Sequence, residues 1–163
     1  MTSSKLISLT EAITLRQSIE TLVFTNGHFD LLHAGHVDYL QKARALGDAL
    51  FVGLNSDRST AALKGPKRPL TPQPDRARTL AALEYVDAVI IFDELTAHHL
   101  LEALQPEIYA KGGDYVLDPN RRGTLLPEAP VVQSYGGYIE LIPYQAGYST
   151  SELINRIVER YCD

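Results

Sequence analysis

The sequence predicts an α/β protein with a Rossmann-like, doubly wound sheet of about five parallel strands and helices on both faces. Short apolar runs alternate along the chain with longer helix-like stretches. The apolar runs contain little polar alternation, which is typical of strands buried on both faces of a parallel sheet. Right-handed crossovers then place helices on both faces, and ligands of such folds bind beyond the carboxyl ends of the strands.

The first half of the chain supplies three of the predicted strands. The run TLVFTN at 21–26 is the first, and a helix over 34–47 follows it with apolar residues spaced along one face. The run ALFVGLN at 49–55 is the second strand. A helix over 74–86 begins near a proline, as helices often do, and leads to the third strand, AVIIF, at 88–92.

The second half completes the alternation. A helix over 96–106 stops at a proline, and the fourth strand, EIYAKGG at 107–113, runs into two glycines. The stretch 115–133 carries Pro and Gly and is interpreted as a loop with room for a short helix. The fifth strand, YIELIPY, covers 138–144, and a helix with a Ser/Thr-rich start covers 149–161. No domain boundary is evident, so residues 1–163 are predicted to form a single domain.

Composition and charge exclude several classes of protein. The net charge is −5 and the pI is near 5.5, which argues against binding nucleic acid through a basic face. Cys162 is the single cysteine, so no intrachain disulfide can form and a reducing, cytoplasmic location is expected. The chain has neither a signal-peptide pattern nor a run of about 18 apolar residues, so no membrane span is expected.

One segment departs from the acidic background. It contains five basic residues and a single acid, Asp75; the basic residues are Lys64, Lys67, Arg68, Arg76 and Arg78. A local basic loop in an acidic domain suits a small anionic ligand better than a polymer. A solvated, charged loop is the alternative interpretation.

The stretch TNGHFDLLHAGH at 25–36 follows the first strand and enters the first long helix. The free N–H groups at the start of a helix form an anion site, and His33 and His36 lie at or beside that start. Gly35 leaves space for a bound phosphate, while imidazoles three residues apart fall on roughly one helix face. Half of a zinc site and a purely structural histidine pair are the alternatives for this spacing alone.

HAGH is an HxGH motif, and its setting resembles the cytidylyltransferase-like nucleotidyltransferases. The likeness continues, in the expected order, through GLNSD, LKGPKRP, ALEYVDAVIIF, KGGDY and STSELINRI. Together these segments resemble the adenylyltransferase domain that makes ADP-heptose from heptose 1-phosphate. HxGH alone is shared by several nucleotidyltransferase families and some tRNA synthetases, whereas its combination with LKGPKRP and KGGDY is much more specific.

The resemblance implies a role for each matching residue. His33 and His36 would contact the nucleotide phosphates and stabilise the transition state, and Lys64 would neutralise charge on the reacting phosphates. Arg68 and Arg76 would help to hold the sugar phosphate or the triphosphate. The implied nucleotide-binding residues are Thr25, Asn26, Gly27, His28, Phe29, Asp30, Gly35, Lys111, Gly112, Gly113, Asp114, Ser149, Thr150 and Ser151.

Two positions depart from the family pattern. The family often carries an arginine just before the Ser/Thr pair, whereas this chain has Gln145 and Tyr148 there and no basic residue. Lys64 and Arg76 are the candidates to supply the missing positive charge. The position after TNG is often cysteine and here is His28, which is interpreted as a pocket-wall or packing residue.

The resemblance implies direct transfer of AMP from ATP to a sugar 1-phosphate, with release of pyrophosphate. Mg²⁺ is expected to bridge the phosphates and to be held mostly by substrate oxygens and water, so no metal site made of protein residues is predicted. Glycerol-3-phosphate cytidylyltransferase is the nearest alternative, although KGGDY favours the heptose type. A non-catalytic nucleotide-binding module is the second alternative.

The expected partners are small molecules, a nucleoside triphosphate and a sugar phosphate, and include neither nucleic acid nor a membrane. Small domains of this kind often pair, so a homodimer is a further prediction. The sequence is too short to include a sugar kinase, so a separate upstream kinase is expected to supply the sugar 1-phosphate.

Overall fold

Five parallel strands form the central sheet of the computed structural model, which describes residues 4–113 and 115–162. They are β1 (Leu22–Gly27), β2 (Ala49–Asn55), β3 (Ala88–Phe92), β4 (Ile108–Gly112) and β7 (Tyr138–Ile142). Their order is β3-β2-β1-β4-β7, with every neighbouring pair parallel. The predicted fold class and all five predicted strands are confirmed. A second small sheet pairs β5 (Tyr115–Val116) with β6 (Thr124–Leu125).

The helices are shorter than predicted and more numerous. They are α1 (Leu9–Arg16), α2 (Ala34–Arg44), α3 (Asp57–Lys64), α4 (Gln73–Ala81), α5 (His98–Leu104), α6 (Ala129–Ser134) and α7 (Thr150–Tyr161). The four predicted helices correspond to α2, α4, α5 and α7. The short helix for which the 115–133 stretch had room is α6, which begins inside this stretch and ends one residue after it. None of the helices in the described residues is long and apolar enough to cross a bilayer.

Two helices, α1 and α3, were not predicted, although both carry a recognisable start signal. Ser8 and Glu11 form a reciprocal capping box at α1. The Ser56 hydroxyl accepts the N–H of Ser59 at the start of α3. The buried residues of these helices are small or polar, Ala12 in α1 and Ser59 and Thr60 in α3, so no apolar periodicity marks them in the sequence.

The sheet separates two apolar clusters. Phe24, Phe51 and Tyr109 project to the face covered by α1, α5 and α6. Val23 and Leu50, their neighbours in sequence, project to the opposite face, which α2 and α4 cover. Because successive strand residues point to opposite faces, the apolar residues of β1 and β2 are buried on both sides of the sheet.

The parallel register brings the carboxyl ends of the strands to one edge of the sheet. Gly27 at the end of β1 is paired with Leu54 of β2, while β4 ends beside β7 at Gly112. The loops that follow these strands therefore converge on the same edge, where α/β sheets bind ligands.

Candidate active site

A cavity of about 480 Å³ lies at the carboxyl edge of the sheet. The first group of predicted residues that line it comes from β1 and the following loop: Asn26, Gly27, His28, Phe29 and Asp30. The second group comes from other elements: His36, Lys64, Arg68, Lys111, Gly112, Thr150 and Ser151. Most of the residues that the sequence singled out are thus brought together around one space.

The two histidines of the HxGH motif form the N-terminal cap of α2. The Nδ1 atom of His33 accepts the N–H of Gly35 at 3.1 Å, and the Nδ1 atom of His36 accepts the N–H of His33 at 3.3 Å. A neutral imidazole carries its proton on the nitrogen that does not accept, so both rings are assigned the Nε2–H tautomer. Neither Nε2–H group has a hydrogen-bond partner within residues 4–113 and 115–162, so both can donate to a ligand.

Burial keeps both imidazoles neutral near pH 7. Burial, followed by the charge of the neighbouring His33, lowers the pKa of His36 to about 4. Burial also lowers the pKa of His33. Two stacked rings with lowered pKa values are suited to donate hydrogen bonds to an anion as neutral groups, rather than to carry a positive charge.

A second cavity, of about 440 Å³, adjoins His33. His33, Tyr148, Ser149 and Arg156 are among the residues that line it. Arg156 places a positive charge at the same cavity as Tyr148, beside which the arginine of the family pattern is missing. Arg156 was not among the residues predicted from the sequence. Its spacing is a usable signal, since Arg156 stands seven residues after Ser149 and thus on the same side of α7.

Gly35 is required by a close approach between α2 and the segment before α7. A Cβ atom built at Gly35 would lie 2.6 Å from the Cβ of Tyr148 and 3.0 Å from the His33 ring. The glycine therefore makes room for protein atoms in this structure, in addition to the phosphate space expected from the sequence.

The loop between β1 and α2 is strained and firmly anchored. Phe29 and Leu31 adopt positive φ angles of 44° and 53°, which are costly for residues with large side chains. Between them the Asp30 carboxylate accepts Nε–H of Arg68 and the N–H groups of Leu70 and Thr71, all within 2.9 Å. Burial alone would raise the pKa of Asp30, but these hydrogen bonds outweigh it and lower the pKa.

The anchoring of Asp30 has a consequence for metal binding. Its carboxylate is already engaged by three donors, so it is a poor ligand for a divalent cation. Among the described residues, no group of three or more His, Cys, Asp or Glu side chains could hold a metal ion.

Arg76 does not take the substrate position expected for it. It is 2% exposed and does not line the cavity. Its guanidinium donates to the carbonyl oxygens of Thr71, His28 and Asn55, and to the Asp57 carboxylate. Arg76 thus ties the loops after β1 and β2 to α4, and its positive charge is not available to compensate for the missing arginine.

Thr25 also lies behind the cavity rather than in it. It is fully buried, and its hydroxyl is 2.7 Å from the Tyr39 hydroxyl, which itself faces the cavity. Thr25 therefore positions Tyr39. The nucleotide contact that the resemblance implies for Thr25 would have to be made through this neighbour.

A buried polar network joins β1 to β4 beneath the cavity. The Asn26 side-chain oxygen accepts the Tyr109 hydroxyl and the Lys111 ammonium. Lys111 also donates to the Asn26 carbonyl at 3.1 Å. Burial lowers the pKa of Lys111 to about 8, while the Glu128 carboxylate opposes this shift.

The ring of Tyr144 packs closely against the glycine pair Gly112 and Gly113 at the end of β4. A Cβ atom at Gly112 or Gly113 would lie 2.6 or 2.7 Å from the ring of Tyr144. Gly113 also has a φ of 86°. The pair thus lets Tyr144 cover the end of β4, while Asp114 of the same motif lies outside the described residues.

His28 contacts Thr60 and forms part of the cavity wall. Its Nδ1 atom is 2.9 Å from the Thr60 hydroxyl. Burial, followed by the positive charge of Lys64, lowers the pKa of His28 to about 4. The wall position expected from the sequence matches this placement, and the ring is neutral at physiological pH.

The start of α7 carries the predicted Ser/Thr cluster. The Ser149 hydroxyl caps the helix by accepting the N–H of Glu152 at 3.0 Å. Thr150 donates to the Asp30 carbonyl at 3.1 Å, which fastens α7 to the β1 loop. Lys64 at the end of α3 is exposed and reaches the cavity from the other side.

Comparison with known proteins decides the family. The family model described as cytidylyltransferase-like matches residues 24–156, which include both histidines and the Ser/Thr cluster. The chain belongs to the cytidylyltransferase-like family. The resemblance noted from HxGH and the later motifs is confirmed, and the protein is a nucleotidyltransferase.

Curated relatives are similar over most of the chain. Bifunctional protein HldE of Pelobacter propionicus is 54% identical over 144 residues, and that of Geobacter sulfurreducens is 54% identical over 140 residues. Each match covers 86% of this chain, but only 28% and 27% of the respective relative. The chain therefore spans a little more than a quarter of the length of these bifunctional proteins.

Solved structures share the fold. A lipopolysaccharide core biosynthesis protein from Thermoplasma volcanium is 24% identical, with a TM-score of 0.57 over 77% of this chain and 96% of its own. Pantoate-beta-alanine ligase from Francisella tularensis is 14% identical, with a TM-score of 0.57, and the match covers 94% of this chain and 77% of the ligase chain. At these identities the two structures support the Rossmann-like fold alone.

Several cavity residues were not found by sequence analysis. They include Tyr39, Asn55, Thr96, Glu128 and Tyr144. Asn55 could have been found, because it is the last residue of the second predicted strand. Thr96 and Glu128 come from loops whose course depends on tertiary packing, so the sequence offered no spacing from which to place them.

Proposed function

We propose that this nucleotidyltransferase transfers AMP from ATP to heptose 1-phosphate and releases pyrophosphate, giving ADP-heptose. The observation that carries the proposal is the neutral histidine pair at the start of α2, whose Nδ1 atoms are occupied and whose Nε2–H groups are left for phosphate oxygens. The choice of ATP and heptose is supported by the motifs LKGPKRP and KGGDY, which resemble those of the heptose type.

In the proposed reaction an ionised oxygen of the sugar phosphate attacks the α-phosphorus of ATP in line. A bond forms between this oxygen and phosphorus, the bond to the bridging oxygen breaks, and pyrophosphate leaves. His33 and His36 donate hydrogen bonds to phosphate oxygens as charge develops on them. Because the attacking phosphate is already ionised near pH 7, no general base is required.

Positive groups are distributed along the proposed path of the phosphates. Lys64 approaches the main cavity from α3, and Arg68 lines the same cavity while paired to Asp30. Arg156 and the N-terminus of α7 adjoin His33. We assign the α-phosphate to the histidine pair, and the β- and γ-phosphates to the start of α7 and Arg156.

Mg²⁺ is proposed to bind the substrate phosphates and water, in keeping with its preference for keeping several waters. The carboxylate of Asp30, which three donors already engage, supports this assignment. When bound, the ion would offset the negative charge of the triphosphate.

Whole-protein activities of the relatives extend beyond this domain. A reaction that phosphorylates the sugar at its first carbon must precede the one proposed here, and we assign it to a separate kinase domain or protein. A homodimer is likewise a proposal, which light scattering of the purified chain would test.

A matrix of substrates tests the proposed function. ATP and CTP are each paired with heptose 1-phosphate and with glycerol 3-phosphate, and pyrophosphate release is measured. Release with ATP and heptose 1-phosphate, well above the other pairs, is expected. Preference for CTP with glycerol 3-phosphate would reassign the substrates, and nucleotide binding without release for any pair would contradict catalysis.

A further inference from the structure

Glu128 is a buried carboxylate at the cavity that no motif of the family resemblance explains. It is 4% exposed and lines the cavity just before α6. Two other charged residues are buried to a similar degree, Asp30 and Arg76, and each is engaged by several partners. Glu128 differs from both in how little of its hydrogen-bonding capacity is used.

The Glu128 carboxylate has one hydrogen bond within the described residues. Its Oε1 accepts the N–H of Ala97 at 3.3 Å, which is a long contact. The second oxygen has no donor within residues 4–113 and 115–162. Among the described residues, the buried side-chain atom without a partner is the Tyr135 hydroxyl, so the second Glu128 oxygen is open to the cavity rather than sealed in the core.

No cation neutralises Glu128 by direct contact within the described residues. Burial raises the pKa values of Tyr109 and Tyr115, and the negative charge of Glu128 adds to both shifts. The same charge opposes the lowering of the Lys111 pKa by burial, so Glu128 acts on the network beneath the cavity through space. Lys111 is instead bonded to Asn26. The carboxylate therefore keeps acceptor capacity for a ligand.

Glu128 reaches the cavity from the face of the sheet opposite the histidine pair. It precedes α6, which packs with α1 and α5 on one face, whereas His36 belongs to α2 on the other. The carboxylate repels phosphates, so it favours an uncharged, hydrogen-bond-donating part of a substrate. Hydroxyl groups of a sugar have this chemistry, and both the acceptor and the ribose of the nucleotide carry them.

We propose that Glu128 accepts hydrogen bonds from the hydroxyl groups of the acceptor sugar, and so selects a polyhydroxylated substrate. This assignment rests on the proposed function. The acceptor's phosphate must face the α-phosphorus beside the histidines, so its sugar projects away from them and toward the other face. Thr96 also lines this part of the cavity, next to the Ala97 amide that holds Glu128.

The test is Glu128→Gln, which keeps an oxygen to accept the Ala97 N–H but removes the charge and one acceptor. Calorimetry measures the affinities of wild type and variant for heptose 1-phosphate and for ATP, each alone. Hydrogen bonds to charged groups are strong, so heptose 1-phosphate should bind about tenfold or more weakly to the variant. The affinity for ATP should change less than about twofold, a difference of only a few tenths of a kcal/mol.

Two controls separate this role from a structural one. Glu102→Gln, an exposed carboxylate on α5, should leave both affinities unchanged. Methyl phosphate, which has a phosphate but no sugar hydroxyl groups, should bind to wild type and to Glu128→Gln with equal affinity. An unchanged thermal midpoint would show that the variant is folded.

The outcomes distinguish this inference from the proposed function. Loss of ATP affinity, an equal loss with methyl phosphate, or no loss at all would overturn the role of Glu128. Failure of any sugar phosphate to bind the wild type would overturn it too. If heptose 1-phosphate binds in a Glu128-dependent manner but no pyrophosphate is released, the role of Glu128 stands and the proposed reaction fails.

Discussion

The imidazole rings of His33 and His36 stack with their centroids 3.8 Å apart and their planes inclined by 25°. Each ring accepts a backbone N–H through Nδ1, so the pair caps α2 and fixes its own tautomers at once. Two imidazolium ions at this separation would repel one another, and burial also opposes protonation. The geometry therefore favours two neutral donors.

Removing either imidazole should abolish most of the catalysis. His33→Ala and His36→Ala are each expected to lower kcat by about 100-fold or more, because each removes a donor to the transition state. Pyrophosphate release measures the effect. His99→Ala, on an exposed histidine of α5, is the matched control and should be unaffected. Near-normal turnover in both motif variants would contradict the catalytic role.

The buried neutral histidines should make the fold sensitive to acid. His28 and His36 have pKa values of about 4, below the ordinary value of 6.5. Between these values the unfolded chain binds protons that the folded chain does not, so stability falls as the pH decreases through this window. Each histidine should contribute on the order of 1 kcal/mol after allowance for its partial exposure.

Denaturant unfolding between pH 7 and 4.5 measures this effect. His28→Gln keeps a hydrogen-bonding side chain beside Thr60 but does not titrate. Its stability should therefore depend less steeply on pH than that of the wild type. Identical slopes for the two proteins would show that His28 is not held neutral in the folded state.

Arg76 should stabilise the fold rather than the substrate complex. Arg76→Ala leaves three carbonyl oxygens and the Asp57 carboxylate without their donor. The free energy of unfolding should fall by about 3 kcal/mol, because several hydrogen bonds from a buried charged donor are lost. The Asp57 side chain is 44% exposed, so the ion pair itself contributes little. Arg78→Ala, on the exposed side of α4, should change the free energy of unfolding by less than about 0.5 kcal/mol. A weaker sugar-phosphate affinity at unchanged stability would instead restore the role first expected from the sequence.

Gly35→Ala should impair the site although alanine favours helices. The new Cβ would lie 2.6 Å from that of Tyr148 and 3.0 Å from the His33 ring, so one of them must move. We expect nucleotide affinity, measured by calorimetry, to fall by about tenfold, because misplacement of about 1 Å is costly at such sites. Tyr148→Gly removes one clash, so the double variant should recover part of the affinity. If the double variant does not recover nucleotide affinity, the contact of the new Cβ with the His33 ring is responsible for the loss.

The fold was predictable because its signals are local and repeated. The central strands are short and mostly apolar, and helices separate them, so the parallel sheet followed from this pattern. The place of the site was predictable from the strand ends, and the family resemblance named residues that line it, such as Asn26, His28 and Lys111. Arg76 was misplaced because a basic residue in a basic segment does not reveal whether its partners are carbonyl oxygens or phosphates.

Other parts of the site depend on tertiary packing. Glu128 meets the Ala97 amide across 31 positions in the sequence, and Thr150 meets the Asp30 carbonyl across 120. No periodicity or motif spacing encodes such contacts. Arg156 was recoverable in principle from helix geometry, but its relation to His33 required the path of the segment before α7.

Direct transfer of AMP to the sugar phosphate is tested by following the α-phosphorus of ATP. ATP labelled at this position is incubated with heptose 1-phosphate, Mg²⁺ and the protein, and the products are separated. The proposed reaction predicts that the label appears in ADP-heptose in step with pyrophosphate release, and that His33→Ala and His36→Ala suppress both. Label that remains in ATP, or that becomes attached to the protein, would contradict direct transfer at this site.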